Sequence, residues 1–290
     1  TIIGTGVLIF SQHPALHSIA VLSVTGMVCV VIASLTLQPL LYDILIDSRK
    51  KRGFSPLELR DFLRAAVAFG WFLIGCVILT VILLVVAILP ISKGRKQRIM
   101  MTCISVMIDS DWRTMFHVPV RWVDKDPLDK PAILIANHAS FVDLMMLIGS
   151  SNKLLLVTND WVWNSPLFGS FIRYVEYIHA KDDTSWDLEK IQKKVDEGFS
   201  ILIFPEGTRT IDGRMGRFKK GAFYLAEQLN LDILPVVIHG LHHVLRKGDF
   251  SVQYSRVTLK YLDRITPDST EFGTGYRERT KAISKHFRSE

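Results

Sequence analysis

The chain has 290 residues, 49% of them hydrophobic, with a formal net charge of +7. The apolar residues are too unevenly spread for a single soluble globule: residues 1–42 and the stretch from Ala65 to Ser92 contain no Asp, Glu, Lys or Arg, and both exceed the roughly 20 apolar residues that span a bilayer. The basic residues gather at the ends of these runs, where anionic lipid headgroups attract them, which argues for a lipid membrane as partner and against nucleic acid.

Thr1 already lies in an apolar segment and lacks the basic start and cleavage site of a signal peptide, so we expect a fragment of a longer chain. Thr1 to Phe10 reads as the end of one membrane helix. Ser11-Gln12-His13-Pro14 is a polar break in which Pro14 starts the next helix, running to about Ile46. Arg49-Lys50-Lys51-Arg52 then puts that end in the cytoplasm by the positive-inside bias, with His13 on the other side. Over about residues 1–48, the motifs Gly6-Val7-Leu8-Ile9-Phe10, His13-Pro14-Ala15-Leu16 and Gln38-Pro39-Leu40-Leu41 resemble the closing two membrane helices of a resistance-nodulation-division type exporter. The resemblance implies a transporter upstream. An unrelated membrane anchor is the alternative, since small and apolar residues recur in most membrane helices.

Residues 49–64 read as a cytoplasmic linker in which Ser55-Pro56-Leu57-Glu58 signals a helix start. Arg60 and Arg64 precede the second apolar run and Lys93, Arg95, Lys96 and Arg98 follow it, so charge bias gives it no direction. At about 1.5 Å per residue it reaches roughly 40 Å, enough to span with tilt. Gly70 and Gly75 also allow a bent segment that dips into one face, which is the favoured expectation. Ile99, Met100, Cys103, Ile104, Met107 and Ile108 recur at helical spacing, suiting a helix in the headgroup layer or one packed on a soluble core. Residues 65–110 are thus expected to be membrane-embedded or interfacial. Cys29 and Cys76 sit inside apolar runs and Cys103 stands alone, a spacing that gives no zinc site or evident disulfide.

From about Trp112 the pattern changes to short apolar runs separated by helical stretches. Ile133–Ala136, Leu154–Val157, Ile201–Phe204 and Leu234–Ile238 are predicted strands, with helices near 141–149, 184–197 and 219–229. The connections are long enough for crossover helices, so the fold class is α/β, with a mostly parallel sheet and flanking helices, preceded by transmembrane helices. This domain covers 111–265, leaving 266–290 as a polar tail. Catalytic loops belong at the carboxyl ends of its strands.

Two motifs fall there. In Asn137-His138-Ala139-Ser140-Phe141-Val142-Asp143, a carboxylate that holds the imidazole would let His138 take a proton from a hydroxyl. Ser140 followed by Asp143 also fits a capping box, in which Asp143 serves a helix start. In Phe204-Pro205-Glu206-Gly207-Thr208-Arg209, Gly207 permits close backbone approach and Arg209 offers a fork of donors to phosphate, with Arg214, Arg217, Lys219 and Lys220 nearby. A solvated basic loop is the alternative there.

With Phe168-Gly169-Ser170-Phe171-Ile172-Arg173, Arg217-Phe218-Lys219-Lys220-Gly221-Ala222 and Leu234-Pro235-Val236-Val237-Ile238, these motifs form four ordered blocks over about residues 100–262. The set resembles the glycerolipid acyltransferase family, in particular the 1-acylglycerol-3-phosphate acyltransferases. The resemblance implies His138 as general base and Asp143 as its orienting partner. It implies substrate binding by Glu206, Gly207, Thr208 and Arg209, with Arg173 and Lys181 as further candidates. It further implies acyl-CoA or acyl-carrier protein as donor, a lipid acceptor, and no metal or bound cofactor; with the charge bias after the first apolar run, the catalytic domain is expected on the cytoplasmic face of the inner membrane.

One departure concerns the second block, where Asp182 stands near the expected Arg in Ile178-His179-Ala180-Lys181-Asp182. Lys181 is the candidate substitute; without it, a non-phosphorylated or glycolipid acceptor becomes the alternative. A lipid- or carrier-binding domain of an exporter, without turnover, is the other alternative. His239, His242 and His243 lack a carboxylate or cysteine at helical spacing, so they read as ordinary histidines. Trp161, Trp163, Phe168 and Phe171 suit either an acyl-chain guide or core packing.

Overall fold

Pro14 occupies the first turn of α1 (Pro14–Tyr42), where its missing N–H costs nothing. The computed structural model describes residues 6–51, 53, 54, 56, 58–115, 118–180 and 186–290 and divides into two units, Thr1–Leu59 and Arg60–Glu290. In the first, a single 3₁₀ turn, Val7–Phe10, precedes α1. Pro39 removes one rung of α1, and a π-helical turn, Asp43–Asp47, follows before the helix resumes over Ser48–Lys51. The helix therefore runs past the expected end at Ile46, because Lys51 pairs with Asp47 at 2.7 Å and Ser48 donates to Asp43. Leu22, Val30 and Leu35 are exposed along it.

The second unit begins with two antiparallel helices, α2 (Leu59–Ile88) and α3 (Lys93–Thr114). Trp71 Nε1 donates to Ser110 Oγ at 3.0 Å, and Lys96 Nζ donates to the Ala87 carbonyl at 2.7 Å. Gly75 lets them close, since a Cβ there would meet Met107 at 2.6 Å. Cys76, Leu79 and Val86 of α2 are buried, while Ile74, Val77, Val81, Leu84 and Val85 face outward. Like the 38-residue helix Pro14–Lys51, α2 is long and apolar enough to cross a membrane.

The sheet elements follow in chain order: β1 (Val120–Val123), β2 (Ala132–Ala136), α4 (Phe141–Ser150), β3 (Leu154–Thr158), α5 (Asp160–Trp163), α6 (Gly169–Tyr174), β4 (Ile178–His179), α7 (Leu188–Asp196), β5 (Ser200–Ile203), α8 (Gly221–Gln228), β6 (Asp232–His239), α9 (Leu241–Val244), β7 (Val257–Tyr261) and α10 (Tyr276–Ser289). The strand order is β1-β7-β6-β2-β5-β3-β4, with every pair parallel except β6 and β7. This is the expected mostly parallel α/β sheet. Successive side chains alternate between two cores. Leu134, Leu202 and Leu234 join one core with α3 and α4, while Ile133, Ile201 and Ile233 join the other with α7, α8 and α10.

Met100, Met101, Ile104 and Ile108 of α3 are buried in the first core, so the amphipathic stretch packs on the domain. Residues 266–290 are not a polar tail: Ile283 and Phe287 of α10 are buried, and Phe287 meets Phe218 edge to face at 5.2 Å.

Candidate active site

Beyond the end of β2, the Asn137 side chain mimics one more ladder rung, donating to the Ile238 carbonyl at 2.9 Å and accepting from the Ile238 N–H at 2.8 Å. This fixes where the chain turns. Ser140 then caps α4: its Oγ accepts from the Val142 N–H and donates to the Leu245 carbonyl. Asp143 Oδ2 accepts from the N–H groups of Ala139 at 2.6 Å and Ser140 at 2.7 Å, and lies 3.2 Å from His138 Nδ1. One Asp143 oxygen therefore completes the capping box and lies within hydrogen-bond reach of the imidazole.

An ionised carboxylate only accepts, so the proton of a neutral His138 sits on Nδ1 and leaves Nε2 with a free lone pair. The Asp143 side chain is 1% exposed and that of His138 18%. The His138 ring also stacks on Phe204, with centroids 4.2 Å apart.

Two bonds fasten the turn after β5 to the first motif, and a third ties it to Gly216. Glu206 Oε1 accepts from the His138 N–H at 2.7 Å, its Oε2 accepts from the Gly216 N–H at 2.6 Å, and the Thr210 N–H donates to the His138 carbonyl at 3.0 Å. Burial pushes the Glu206 carboxyl up, against the two backbone hydrogen bonds that hold it down. Gly207 has φ +72, the left-handed region that suits glycine, and a Cβ there would meet the Lys219 side chain at 3.0 Å. Burial also lowers the Arg209 guanidinium from its ordinary value, while the Asp143 charge opposes that shift.

His138, Phe204, Gly207 and Lys219 line a cleft of about 450 Å³ whose other wall includes Thr158, Asn159 and Ala180. Leu144, Leu156 and Val162 belong both to this cleft and to a wholly apolar pocket of about 70 Å³ that reaches Phe72, Met107 and Phe171. Of the aromatic residues singled out in the sequence, Phe168 and Phe171 line that pocket, Trp161 is exposed, and Trp163 stacks on His179.

The structure thus brings His138, Asp143, Glu206 and Gly207 together. Arg173 does not line the cleft; its guanidinium donates to the Trp163 carbonyl, as its spacing on a helix surface allows. Lys181 and Asp182 lie outside the described residues. Lys247 was not evident from the sequence: its Nζ donates to Thr208 Oγ1 and to the Arg209 carbonyl, each at 3.2 Å. It reaches back from the segment after β6, and nothing in its local sequence marks it. His242 packs against Gly213, and burial, with Arg246 and His243, lowers its pKa.

Residues 117–239 match the family model described as acyltransferase. The chain is 31% identical over 161 residues to a 1-acyl-sn-glycerol-3-phosphate acyltransferase of Limnanthes douglasii, covering 53% of this chain and 57% of that protein. It is 36% identical over 149 residues to the Cocos nucifera protein of the same name, covering 48% of this chain and 47% of that one. The chain thus spans about half the length of these relatives. The crystal structure of a 1-acyl-sn-glycerophosphate acyltransferase from Thermotoga maritima superposes with a TM-score of 0.66 at 20% identity, covering 80% of this chain and 96% of that one, which establishes the shared fold.

Proposed function

We propose that the chain is a membrane-bound O-acyltransferase that moves an acyl group from acyl-CoA or acyl-carrier protein to a lipid hydroxyl, with 1-acylglycerol-3-phosphate as the acceptor. The observation that carries this is His138 Nδ1 on a buried Asp143, in one cleft with the turn after β5. The acyltransferase match over 117–239 and the names of the relatives support the reaction class.

In the reaction, His138 Nε2 takes the proton of the acceptor hydroxyl as its oxygen attacks the thioester carbonyl. Asp143 fixes the tautomer and stabilises the imidazolium. The tetrahedral intermediate collapses, the C–S bond breaks, and the thiolate leaves as a thiol with the proton returned from His138. The nucleophile is the acceptor itself, so no acyl-enzyme is needed. Arg209 and Lys247 at the turn, with Lys219 lining the cleft, supply positive charge for an acceptor phosphate. Both Glu206 oxygens are on backbone N–H groups, which suits a role in holding the loops rather than in touching the substrate. The apolar pocket beside Leu144, Leu156 and Val162 offers room for an acyl chain. We place the domain at the cytoplasmic face of the inner membrane, and residues 1–48 as the closing helices of an exporter-like region, on charge bias and motif resemblance.

The test is mass spectrometry of the lipids acylated by the purified chain, offered lysophosphatidate, a non-phosphorylated monoacylglycerol and a glycolipid, each with acyl-CoA and with acyl-carrier protein. Lysophosphatidate should be the acceptor used, and His138→Ala should stop its acylation. Acylation unchanged in that variant would leave only a binding role.

A further inference from the structure

A groove of about 900 Å³ lies at the end of the sheet remote from His138. Lys153 and Phe199, which immediately precede β3 and β5, line it, whereas the cleft takes Thr158 and Phe204 from the other ends of the same strands. At about 3.3 Å per residue the two sites are separated by roughly 15 Å of sheet. Among the described residues, none lines both.

The groove is strongly positive. Lys93, Arg98, Lys153, Lys190, Lys193 and Lys194 line it, against two carboxylates, Glu176 and Glu197. Those carboxylates are engaged: Glu176 by Lys93 at 2.7 Å and Lys194 at 3.4 Å, Glu197 by Lys194 at 3.1 Å. Among the described residues, Arg98, Lys153, Lys190 and Lys193 have no carboxylate partner. Glu176 sits at φ +62, a left-handed conformation uncommon outside glycine, so the chain is bent to bring this carboxylate in. Burial pushes its carboxyl up, but hydrogen bonds from Lys93 and Gln97 and the Lys194 charge outweigh that and hold it at about 2.

The start of α3 adds to the imbalance. No side chain caps it, its first turn has no acid, and Lys93, Arg95, Lys96 and Arg98 crowd the positive end of its dipole. Cations repel that end and an anion would relieve it. Lys96 is turned away to the Ala87 carbonyl, and Gly94 leaves open space at the wall, since a Cβ there would meet nothing within 4 Å.

We infer that this groove binds the phosphate headgroup of an anionic membrane lipid, at a site separate from the catalytic cleft. The neighbouring surface selects a lipid over a soluble phosphate. The outward apolar face of α2 ends at Ile88, which is 82% exposed, and Leu89 is exposed beside it, just ahead of Lys93. Acyl tails against α2 and a phosphate at Arg98 and Lys193 would satisfy both surfaces at once. The inference depends on α2 meeting the bilayer and not on the acyl-transfer chemistry.

The test uses the full chain in neutral detergent micelles, carrying Arg209→Ala so that phosphate binding in the cleft does not contribute. Dihexanoyl phosphatidylglycerol, dihexanoyl phosphatidylcholine and inorganic phosphate are each titrated by calorimetry. The phosphatidylglycerol should bind roughly tenfold more tightly than the phosphatidylcholine, and Arg98→Gln with Lys193→Gln should remove that preference. Gly94→Phe, which fills the groove without altering charge, should remove it too. Binding unchanged in both variants would overturn the site, and inorganic phosphate displacing the lipid at equal concentration would overturn the lipid assignment. In the otherwise unaltered chain, the Arg98 and Lys193 changes should leave acyl transfer in place, and His138→Ala should leave lipid binding in place.

Discussion

His138 and His179 both stand at strand ends on the carboxyl edge of the sheet, each within reach of an aspartate. The His179–Asp160 pair is the shorter, at 2.7 Å against 3.2 Å. Their surroundings differ more than their distances. The Asp160 side chain is 75% exposed and the Asp143 side chain 1%. Water screens the first pair and competes for its oxygens, so the contact constrains His179 little. Asp143 is withdrawn from water and pinned by two backbone N–H groups, so its oxygen stays where the imidazole needs it. His179 also has one ring face covered by Trp163, with the planes 4° apart. Distance alone does not identify a catalytic pair; the burial and fixing of the carboxylate do.

Disturbing the two pairs in parallel sharpens the contrast. Asp143→Asn should lower kcat roughly 100-fold or more, because the amide no longer fixes the Nδ1–H tautomer or stabilises the imidazolium. Arg209→Ala should act mainly on the acceptor, raising its KM roughly tenfold as one charge-assisted phosphate contact is lost, with a smaller change in kcat, as initial rates over an acceptor series would report. Asp160→Asn should change kcat/KM less than about twofold, since an exposed pair contributes little; a loss comparable to that of Asp143→Asn would break the comparison.

A fourth prediction concerns stability. Burial pushes the Asp111 carboxyl from 3.8 up to about 6. Between these values the folded chain holds a proton that the unfolded chain has released, so this group favours folding at low pH and that contribution is lost as pH rises through the window. Asp111→Asn should therefore raise the thermal midpoint in detergent at pH 8, corresponding to about 1–2 kcal/mol, with the difference vanishing near pH 4.

The legible parts of the sequence were those where burial is complete. β6, β2, β5 and β3 lie side by side at the centre of the sheet, covered on both faces, and so read as unbroken apolar runs. The strands that escaped notice are β1 and β7 at one margin and the two-residue β4 at the other. In β7 only alternate residues are buried, which dilutes the signal. α10 was obscured because its basic and acidic residues outnumber the spaced Ile283 and Phe287 that it buries.

At the site, His138 and Asp143 were legible because they lie five residues apart in one motif, where the capping box of Ser140 and Asp143 brings the carboxylate back to the imidazole. The contacts of Glu206 with His138 and Gly216, and of Lys247 with Thr208, span distant segments and emerge only once β2, β5 and β6 are adjacent.

The most direct test is the single-turnover rate of acyl thioester cleavage in the presence of saturating lysophosphatidate, measured side by side for His138→Gln and His179→Gln. The first should fall by about 100- to 10,000-fold, the range of a lost general base, and the second should stay within roughly threefold of the unaltered chain. Equal losses in the two variants, or a larger loss in the second, would contradict the assignment of the base to the buried pair.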